Sequence, residues 1–230
     1  MQAVIIAGGK GRRLLPFTTT IPKPLFPIGE KPVLQLILEQ LQKFDISDFM
    51  ISVGYLGELI EAYFGNGSRF KCRIQYVREM NPLGTAGPIS LLPEMSDDFI
   101  FMNGDILASV PFPKAIESHK RSSAIMTVCT YRKNVKSSLG IVKVDNNDNV
   151  RDYLEKPEET HLVSSGVYIF NPRVKSFVSP NERIDIPELV LRLIHDNQTV
   201  RSHLLDGYWF DLGTPEDLEA AIRFYENNNP

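Results

Sequence analysis

The chain has 230 residues, of which 43% are hydrophobic, and a formal net charge of −3 at pH 7. This length fits one large domain or two small ones with a sizeable core. The slightly acidic balance excludes a general nucleic-acid binder and an anionic-membrane binder, because such proteins need a basic surface. Cys72 and Cys129 are far apart in the sequence, which is typical of core cysteines in a reducing compartment. The chain lacks an apolar run of about 18 residues and a signal-peptide pattern, so we expect a cytoplasmic location with no membrane partner.

The first half alternates short apolar runs with helical patterns. Short, nearly continuous apolar strands separated by helices predict a parallel sheet that is covered on both faces. Ligands of such a sheet bind at the carboxyl ends of its strands. The predicted strands are 3–7, 49–53, 74–77 and 99–102, and the predicted helices are 33–44 and 57–64.

The second half is richer in strand patterns that favour antiparallel pairing. A turn at 146–149 joins two of them as a hairpin. The last helix has a clear start, with Thr214 as N-cap and Pro215 in the first turn, and residues 227–230 are expected to fray. The predicted strands are 124–131, 140–144, 150–155 and 163–170, and the predicted helices are 187–195 and 215–225.

A glycine-rich loop with several cations follows the first strand. Its glycines, in Gly8-Gly9-Lys10-Gly11, let backbone N–H groups turn toward a single anion such as a polyphosphate. Two familiar phosphate motifs do not fit, because Arg12 replaces the Lys of a P-loop and Leu14 replaces the third glycine of a dinucleotide fingerprint. The glycines alone leave open a phosphate loop or a glycine-rich turn with solvated basic residues.

The wider stretch 8–24 resembles the N-terminal signature of the sugar nucleotidyltransferases, also called nucleotide-sugar pyrophosphorylases. That signature reads GGxGTRLxPxT and continues to a KP pair about ten residues after its arginine. Arg13 takes the arginine position and Lys23-Pro24 takes the KP position. Arg12 departs from the family, because it stands where a Thr or Ser is usual, and it adds a cation near the phosphates.

Further segments resemble the same family in chain order. Leu83-Gly84-Thr85-Ala86-Gly87-Pro88 is similar to its base-reading loop, and Asn103-Gly104-Asp105 to the segment with its first metal aspartate. The segments that begin at Leu139, Glu155 and Ser165 resemble its three sugar-pocket segments. The stretch 210–217, which contains Asp211, resembles the W-x-D-x-G-T-P-E-D segment with the second metal aspartate.

The resemblance implies an α/β, Rossmann-like mixed sheet that is mainly parallel and flanked by helices, with a more antiparallel second half. It implies one nucleotidyltransferase domain over 1–230, with a nucleotide-binding half at 1–110 and a sugar-phosphate-binding half at 111–230. The implied catalytic residues are Arg13 and Lys23, and the implied Mg²⁺ ligands are Asp105 and Asp211. The implied nucleotide-binding residues are Ala7, Gly8, Gly9, Gly11, Arg12, Glu79, Gly84, Thr85, Asn103 and Gly104, and the implied sugar-phosphate-binding residues are Gly140, Glu155, Lys156, Ser165 and Gly166.

The implied reaction joins an NTP to a sugar 1-phosphate and releases pyrophosphate. Its nucleophile is a phosphate oxygen that is already ionised, so catalysis rests on positioning and charge neutralisation rather than on a nucleophilic triad. Each charged residue also has a plainer interpretation. Arg13 and Lys23 would be solvated cations, the two aspartates loop acids, and Glu155-Lys156 an exposed hairpin pair.

The base is expected to be guanine, from GTP, because Glu79 lies just before the base-reading loop. A carboxylate matches the two adjacent donors of guanine, whereas an amide suits uracil or thymine better. A uridylyl- or thymidylyltransferase is the alternative, and a catalytically silent nucleotide-sugar sensor is a third reading, suggested by Arg12. The dinucleotide fingerprint lacks its third glycine, which argues against an oxidoreductase.

The sugar is not fixed by the sequence. Mannose 1-phosphate is the default by resemblance, and glucosamine or heptose 1-phosphate fits short bacterial guanylyltransferases of surface-glycan pathways, which the stretch 49–64 resembles. A homodimer is expected from the family, although no residue marks the interface. The chain would be either a short complete enzyme or one domain of a longer protein.

Overall fold

The structure of the protein is a computed structural model that describes residues 1–228. Five α-helices lie within this range: α1 Val33–Gln42, α2 Gly57–Phe64, α3 Phe112–Ser122, α4 Ile186–His195 and α5 Pro215–Asn228. The strands of the same range are β1 Gln2–Ile6, β2 Pro27–Ile28, β3 Lys31–Pro32, β4 Asp48–Val53, β5 Arg73–Arg78, β6 Phe99–Asn103, β7 Ile106–Ala108, β8 Met126–Lys136, β9 Ile141–Val144, β10 Val150–Leu154, β11 Glu158–Phe170, β12 Val200–Leu204 and β13 Trp209–Asp211.

Seven strands form one central sheet in the order β12-β8-β11-β6-β1-β4-β5. β1 is parallel to both β6 and β4, and β4 is parallel to β5. β11 runs antiparallel to both β6 and β8, and β12 is parallel to β8. The predicted α/β class, with a mainly parallel sheet and a more antiparallel second half, is therefore confirmed.

Both faces of the central sheet are buried at β1, β4 and β6. Neighbouring residues of a strand point to opposite faces, and Ile5 and Val4 of β1 accordingly belong to two different apolar clusters. Leu38 of α1 packs into the cluster of Ile5, and Leu189 of α4 packs into that of Val4. This double burial explains why the strands of the first half read as continuous apolar runs.

The second half differs from its prediction in strand length. β8 and β11 extend several residues beyond the predicted 124–131 and 163–170, and their distal parts are exposed, as are most residues of the β9–β10 hairpin. The turn at 146–149 does join β9 to β10. Asn227 and Asn228, expected to fray, belong to α5, whereas 229–230 lie outside the described residues.

Six of these α-helices and strands were not predicted: α3, β2, β3, β7, β12 and β13. α3 has the sequence FPKAIESHKRS, and its three buried residues, Phe112, Ala115 and His119, lie on one face at helical spacing. One of the three is a histidine and most of the other residues are polar, so the apolar stripe is weak. β7 and β13 have three residues each and exist as a pair. Among residues 1–228, the structure contains no helix with both the length and the apolar character that a membrane crossing requires.

Candidate functional site

The opening loop leaves the carboxyl end of β1, next to the end of β6, since Ile6 is in register with Asn103. Gly11 adopts a left-handed conformation with φ of +58°, which glycine reaches without strain. Its carbonyl accepts hydrogen bonds from the Leu14 N–H at 2.9 Å and from the Thr18 hydroxyl at 3.0 Å. These contacts fold the loop back into a short 3₁₀ turn that carries both arginines.

A cavity of about 300 Å³ opens beside this loop, at the carboxyl ends of β1 and β6. It lies where ligands of open α/β sheets bind. Ten of the predicted site residues border it, together with neighbours such as Leu14, Pro24 and Gly213. Those ten are Ala7, Gly9, Gly11, Arg12, Arg13, Lys23, Thr85, Asn103, Gly104 and Asp105.

Lys23 joins the two predicted metal ligands. Its ammonium Nζ lies 2.5 Å from Asp105 Oδ2 and 4.0 Å from Asp211 Oδ1, and the lysine side chain is only 8% exposed. The two aspartates are brought together by the β7–β13 pair, in which Asp211 is opposite Ile106. The Leu212 N–H also donates to the Asp105 carbonyl at 3.1 Å. Residues far apart in the sequence therefore converge on one cation.

The electrostatics of this pair favour a cation. Burial raises the pKa of Asp211, the nearby Asp105 carboxylate raises it further, and the charges of Lys23 and Arg13 oppose the shift. Two carboxylates that repel each other around one ammonium, with Asp105 at the border of the cavity, are a donor set of the kind that Mg²⁺ prefers. The buried Oδ1 of Asn103, which has no hydrogen-bond partner within 1–228, adds an oxygen acceptor nearby. The residues present thus fit the predicted metal.

Arg13 packs over Gly213, in the loop after β13. A Cβ atom on Gly213 would lie 2.7 Å from Arg13 Nη2, so only glycine allows the guanidinium to rest there. Arg13 is exposed toward the cavity side, and the sequence places it one residue after Arg12, which also borders the cavity. The guanidinium is therefore positioned by the segment that carries Asp211.

Glu79 borders a second cavity of about 520 Å³ on the other side of the glycine loop. Its carboxylate accepts hydrogen bonds from Ser52 Oγ at 2.8 Å and from the Leu83 N–H at 3.2 Å. Burial raises the pKa of Glu79, and these two hydrogen bonds oppose the shift. A Cβ atom on Gly8 would lie 2.6 Å from Glu79 Oε1, so Gly8 allows the carboxylate to approach the loop backbone.

Thr85 borders the main cavity, but its side chain is engaged elsewhere. Its hydroxyl donates to Asp185 Oδ1 at 3.1 Å and accepts from the Ile186 N–H at 2.9 Å. The Thr85 N–H donates to the same Asp185 oxygen at 2.7 Å. Gly84, its neighbour, has φ of +79° and also packs against Asp185.

The predicted sugar-phosphate residues fall into two groups. Ser165 and Gly166 are buried at a register shift of β11, and a Cβ atom on Gly166 would lie 3.0 Å from Asn103 Nδ2. Gly140, Glu155 and Lys156 lie outside both cavities described above, next to the β9–β10 hairpin. Glu155 and Lys156 are exposed and lie 3.9 Å apart. Ser165 and Gly166 do not border these cavities either, and Gly166 is the member of this set that packs against Asn103.

A family model described as nucleotidyl transferase matches residues 2–228. The chain belongs to the nucleotidyl transferase family. It is 33% identical to a UTP–glucose-1-phosphate uridylyltransferase from Synechocystis sp. over 97% of this chain and 63% of the relative. It is 32% identical to a mannose-1-phosphate guanyltransferase from Yarrowia lipolytica over 98% of this chain and 64% of the relative. The chain thus spans less than two thirds of the length of these curated relatives.

The solved structures agree in fold with this nucleotidyl transferase family member. The crystal structure of HddC from Yersinia pseudotuberculosis complexed with GMP-PN superimposes with a TM-score of 0.74 at 25% identity. The match covers 97% of this chain and 99% of that chain. The predicted family is confirmed by these comparisons, and they name relatives that use different bases.

Sequence reasoning missed two residues that hold the site together. Ser52 donates to Glu79, and Asp185 accepts from Thr85 across a separation of 100 residues. The pattern Asp185-Ile186-Pro187-Glu188 could have been recognised as a helix start. No sequence signal connects it to Thr85, because that contact is tertiary.

Gly9→Ala separates a role in folding from a role in ligand binding. A Cβ atom on Gly9 would meet nothing within 4 Å, so we expect the free energy of unfolding to change by less than about 0.5 kcal/mol. If a triphosphate lies against this backbone, the added methyl should weaken NTP binding about tenfold or more. Thermal unfolding and calorimetric titration with NTP measure the two effects. Unchanged NTP affinity in the variant would show that the NTP does not bind against Gly9.

Proposed function

We propose that this protein is a Mg²⁺-dependent guanylyltransferase that makes a GDP-sugar and pyrophosphate from GTP and a sugar 1-phosphate. The observation that carries the proposal is the contact of one ammonium, Lys23 Nζ, with both Asp105 and Asp211 beside a cavity walled by the glycine loop. This arrangement supplies cationic and carboxylate groups at a single point, which phosphoryl-type transfer requires.

In the proposed reaction an oxygen of the sugar phosphate attacks the α-phosphorus of the NTP. The bond from the α-phosphorus to the bridging oxygen of the β-phosphate breaks, and pyrophosphate leaves with the electron pair. The reactants are both anions, so the protein has to neutralise charge while it aligns them. Backbone N–H groups of the glycine loop would hold the triphosphate, and Arg13, a permanent planar cation, would neutralise the leaving pyrophosphate.

Asp105 and Asp211 would hold the magnesium ion, which would supply Lewis-acid polarisation of phosphate oxygens. Lys23 pairs with these carboxylates in the present structure. With substrates bound, its ammonium would serve as a point charge toward the α-phosphate or the pyrophosphate. The lysine is buried, so little water competes for its charge.

Glu79 supports guanine as the base. Its two carboxylate oxygens have about four acceptor sites, and the structure uses two of them for Ser52 and Leu83. The remaining sites would accept from N1–H and the N2 amine of guanine. A relative that is a mannose-1-phosphate guanyltransferase agrees with this base.

The second candidate is transfer of a pyrimidine nucleotide, which the uridylyltransferase relative favours. The nucleotide-sugar sensor has less support, because Arg13, Lys23 and Asp105 border one cavity and Asp211 lies beside Lys23. For the sugar, mannose, glucosamine and heptose 1-phosphates remain the candidates. A homodimer also remains a proposal.

The test of the proposal is pyrophosphate release with Mg²⁺ across a grid of substrates. GTP, UTP, dTTP, CTP and ATP are each paired with mannose, glucosamine, glucose and heptose 1-phosphates. We expect release with GTP and one of the sugars. Pyrophosphate release with a pyrimidine nucleotide alone would support a nucleotidyltransferase but contradict guanine as its base. No release with a folded protein would contradict the enzymatic proposal for these substrates.

Asp105→Asn should lower turnover to less than about a tenth of the wild type, because several kcal/mol of charge stabilisation is lost with one metal-binding carboxylate. The Mg²⁺ concentration for half-maximal rate should also rise, which a general folding defect would not cause. Asp48→Asn, which removes a surface carboxylate paired with Arg73, is the matched control. Retention of more than a tenth of the activity would rule out a central metal role for Asp105.

Glu79→Gln should lower the kcat/KM for GTP about tenfold or more relative to UTP, because one guanine donor loses its acceptor. The amide is nearly isosteric, and its oxygen can still accept from Ser52 or Leu83. Steady-state rates with both nucleotides measure the ratio, and thermal unfolding checks the fold. An unchanged GTP/UTP ratio would show that Glu79 does not read the base.

A further inference from the structure

The loop of residues 83–87, which forms part of the cavity wall through Thr85, packs backbone to backbone against residues 182–186. The Ile184 N–H donates to the Leu83 carbonyl at 2.9 Å. The Ile184 carbonyl accepts from the N–H groups of Ala86 and Gly87 at 3.0 and 3.1 Å. A segment that precedes α4 therefore holds the loop along its length.

Two glycines make this close packing feasible. A Cβ atom on Gly84 would lie 2.7 Å from Asp185 Oδ1, and a Cβ atom on Gly87 would lie 2.5 Å from the Glu182 carbonyl. Both distances are shorter than real Cβ contacts. The two segments thus touch without side chains between them, and a shift of one is transmitted to the other.

Asp185 makes the polar contact at the centre of this junction. Its Oδ1 accepts from both the N–H and the hydroxyl of Thr85, and the same hydroxyl accepts from the first helical N–H of α4, at Ile186. Asp185 is the N-cap residue of α4, and its N–H donates to the Glu188 carboxylate, as in a capping box. Thr85, from the cavity loop, accepts from a further N–H of this helix start, and the Asp185 carboxylate fixes the orientation of the Thr85 hydroxyl.

The segment that carries Asp185 is itself anchored. Arg192 binds Glu182 through two hydrogen bonds, at 2.5 and 2.9 Å, and also donates to the Phe177 carbonyl at 2.7 Å. The Arg192 guanidinium, with the Ser179 N–H, lowers the pKa of Glu182 to about 2, so this pair stays charged at neutral pH. Asp185 is therefore attached to a fixed support rather than to a free loop.

The far end of the cavity loop reaches the second cavity. The Leu83 N–H donates to Glu79 Oε2 at 3.2 Å. The order of contacts runs from Asp185 to Thr85, along the loop to Leu83, and on to Glu79. The segment before α4 thus orients the wall of one cavity and the carboxylate of the other.

We propose that Asp185 is a positioning residue for nucleotide binding, which acts through Thr85 without touching the substrate. The inference rests on the proposed function, because it assumes that the two cavities hold an NTP. Loss of the contact would let the 83–87 loop open locally. It would weaken NTP binding in the ground state and the transition state alike, which raises KM and leaves kcat nearly unchanged.

The test compares Asp185→Ala with two matched variants. Asp185→Asn keeps an Oδ1 acceptor for Thr85. Glu188→Ala removes the carboxylate that accepts from the Asp185 N–H, so it weakens the same helix start without touching Thr85. For Asp185→Ala we expect a KM for the NTP about tenfold higher, from the loss of a charge-assisted hydrogen bond, with the KM for the sugar phosphate within about twofold. Asp185→Asn should restore most of the affinity, and Glu188→Ala should behave as wild type.

Hydrogen exchange provides a readout that does not depend on turnover. The amides of Thr85, Ala86 and Gly87 should exchange faster in Asp185→Ala than in Glu188→Ala. Equal exchange or equal KM values in these two variants would overturn the positioning role. A wild type that releases no pyrophosphate across the grid would instead overturn the proposed function. Calorimetric titration of the same variants with GTP then tests Asp185 separately, and equal affinities would overturn it.

Discussion

The buried ammonium of Lys23 is the constraint on which the rest of the site depends. A charged side chain that is nearly removed from water is tolerated only when opposite charges surround it. Asp105 and Asp211 provide those charges, and they belong to segments more than a hundred residues apart. Lys23 follows the opening loop, Asp105 follows β6, and Asp211 lies in β13. The contacts of this one cation therefore hold three separate segments together.

The charges around this cation are separated by sign. The two arginines are exposed at the border of the main cavity, and the partly buried carboxylates lie around Lys23. An anionic ligand would be attracted to the arginines, and a divalent cation to the carboxylates. The proposed chemistry needs both kinds of charge. The fold separates them, because the arginines lie in the turn after the glycine loop, whereas the carboxylates lie at the β7–β13 pair.

The sequence predicted the first half well and parts of the second half poorly, for a physical reason. Strands buried on both faces, such as β1 and β4, contain nearly continuous apolar runs and can be recognised alone. Strands such as β12, with three consecutive polar residues at 201–203, become strands only because β8 lies beside them. The same limit applies to the site. The family motifs, which occur in the expected order, predicted Lys23 and both aspartates as site residues. The role of Asp185 can be recognised only from its tertiary contact with Thr85.

The short β7–β13 ladder determines where residues can be inserted in this chain without moving the two carboxylates. Ala108 and Trp209 are opposite each other in that ladder, and the pairing ends at Ile106 and Asp211. The distance between the two carboxylates is thus set by three residue pairs and not by the length of the chain between Asp105 and Asp211. Insertions within the exposed β9–β10 hairpin can lengthen that segment and leave the carboxylates in place. A slip of one residue in the ladder, by contrast, would turn Asp211 to the opposite face of its strand.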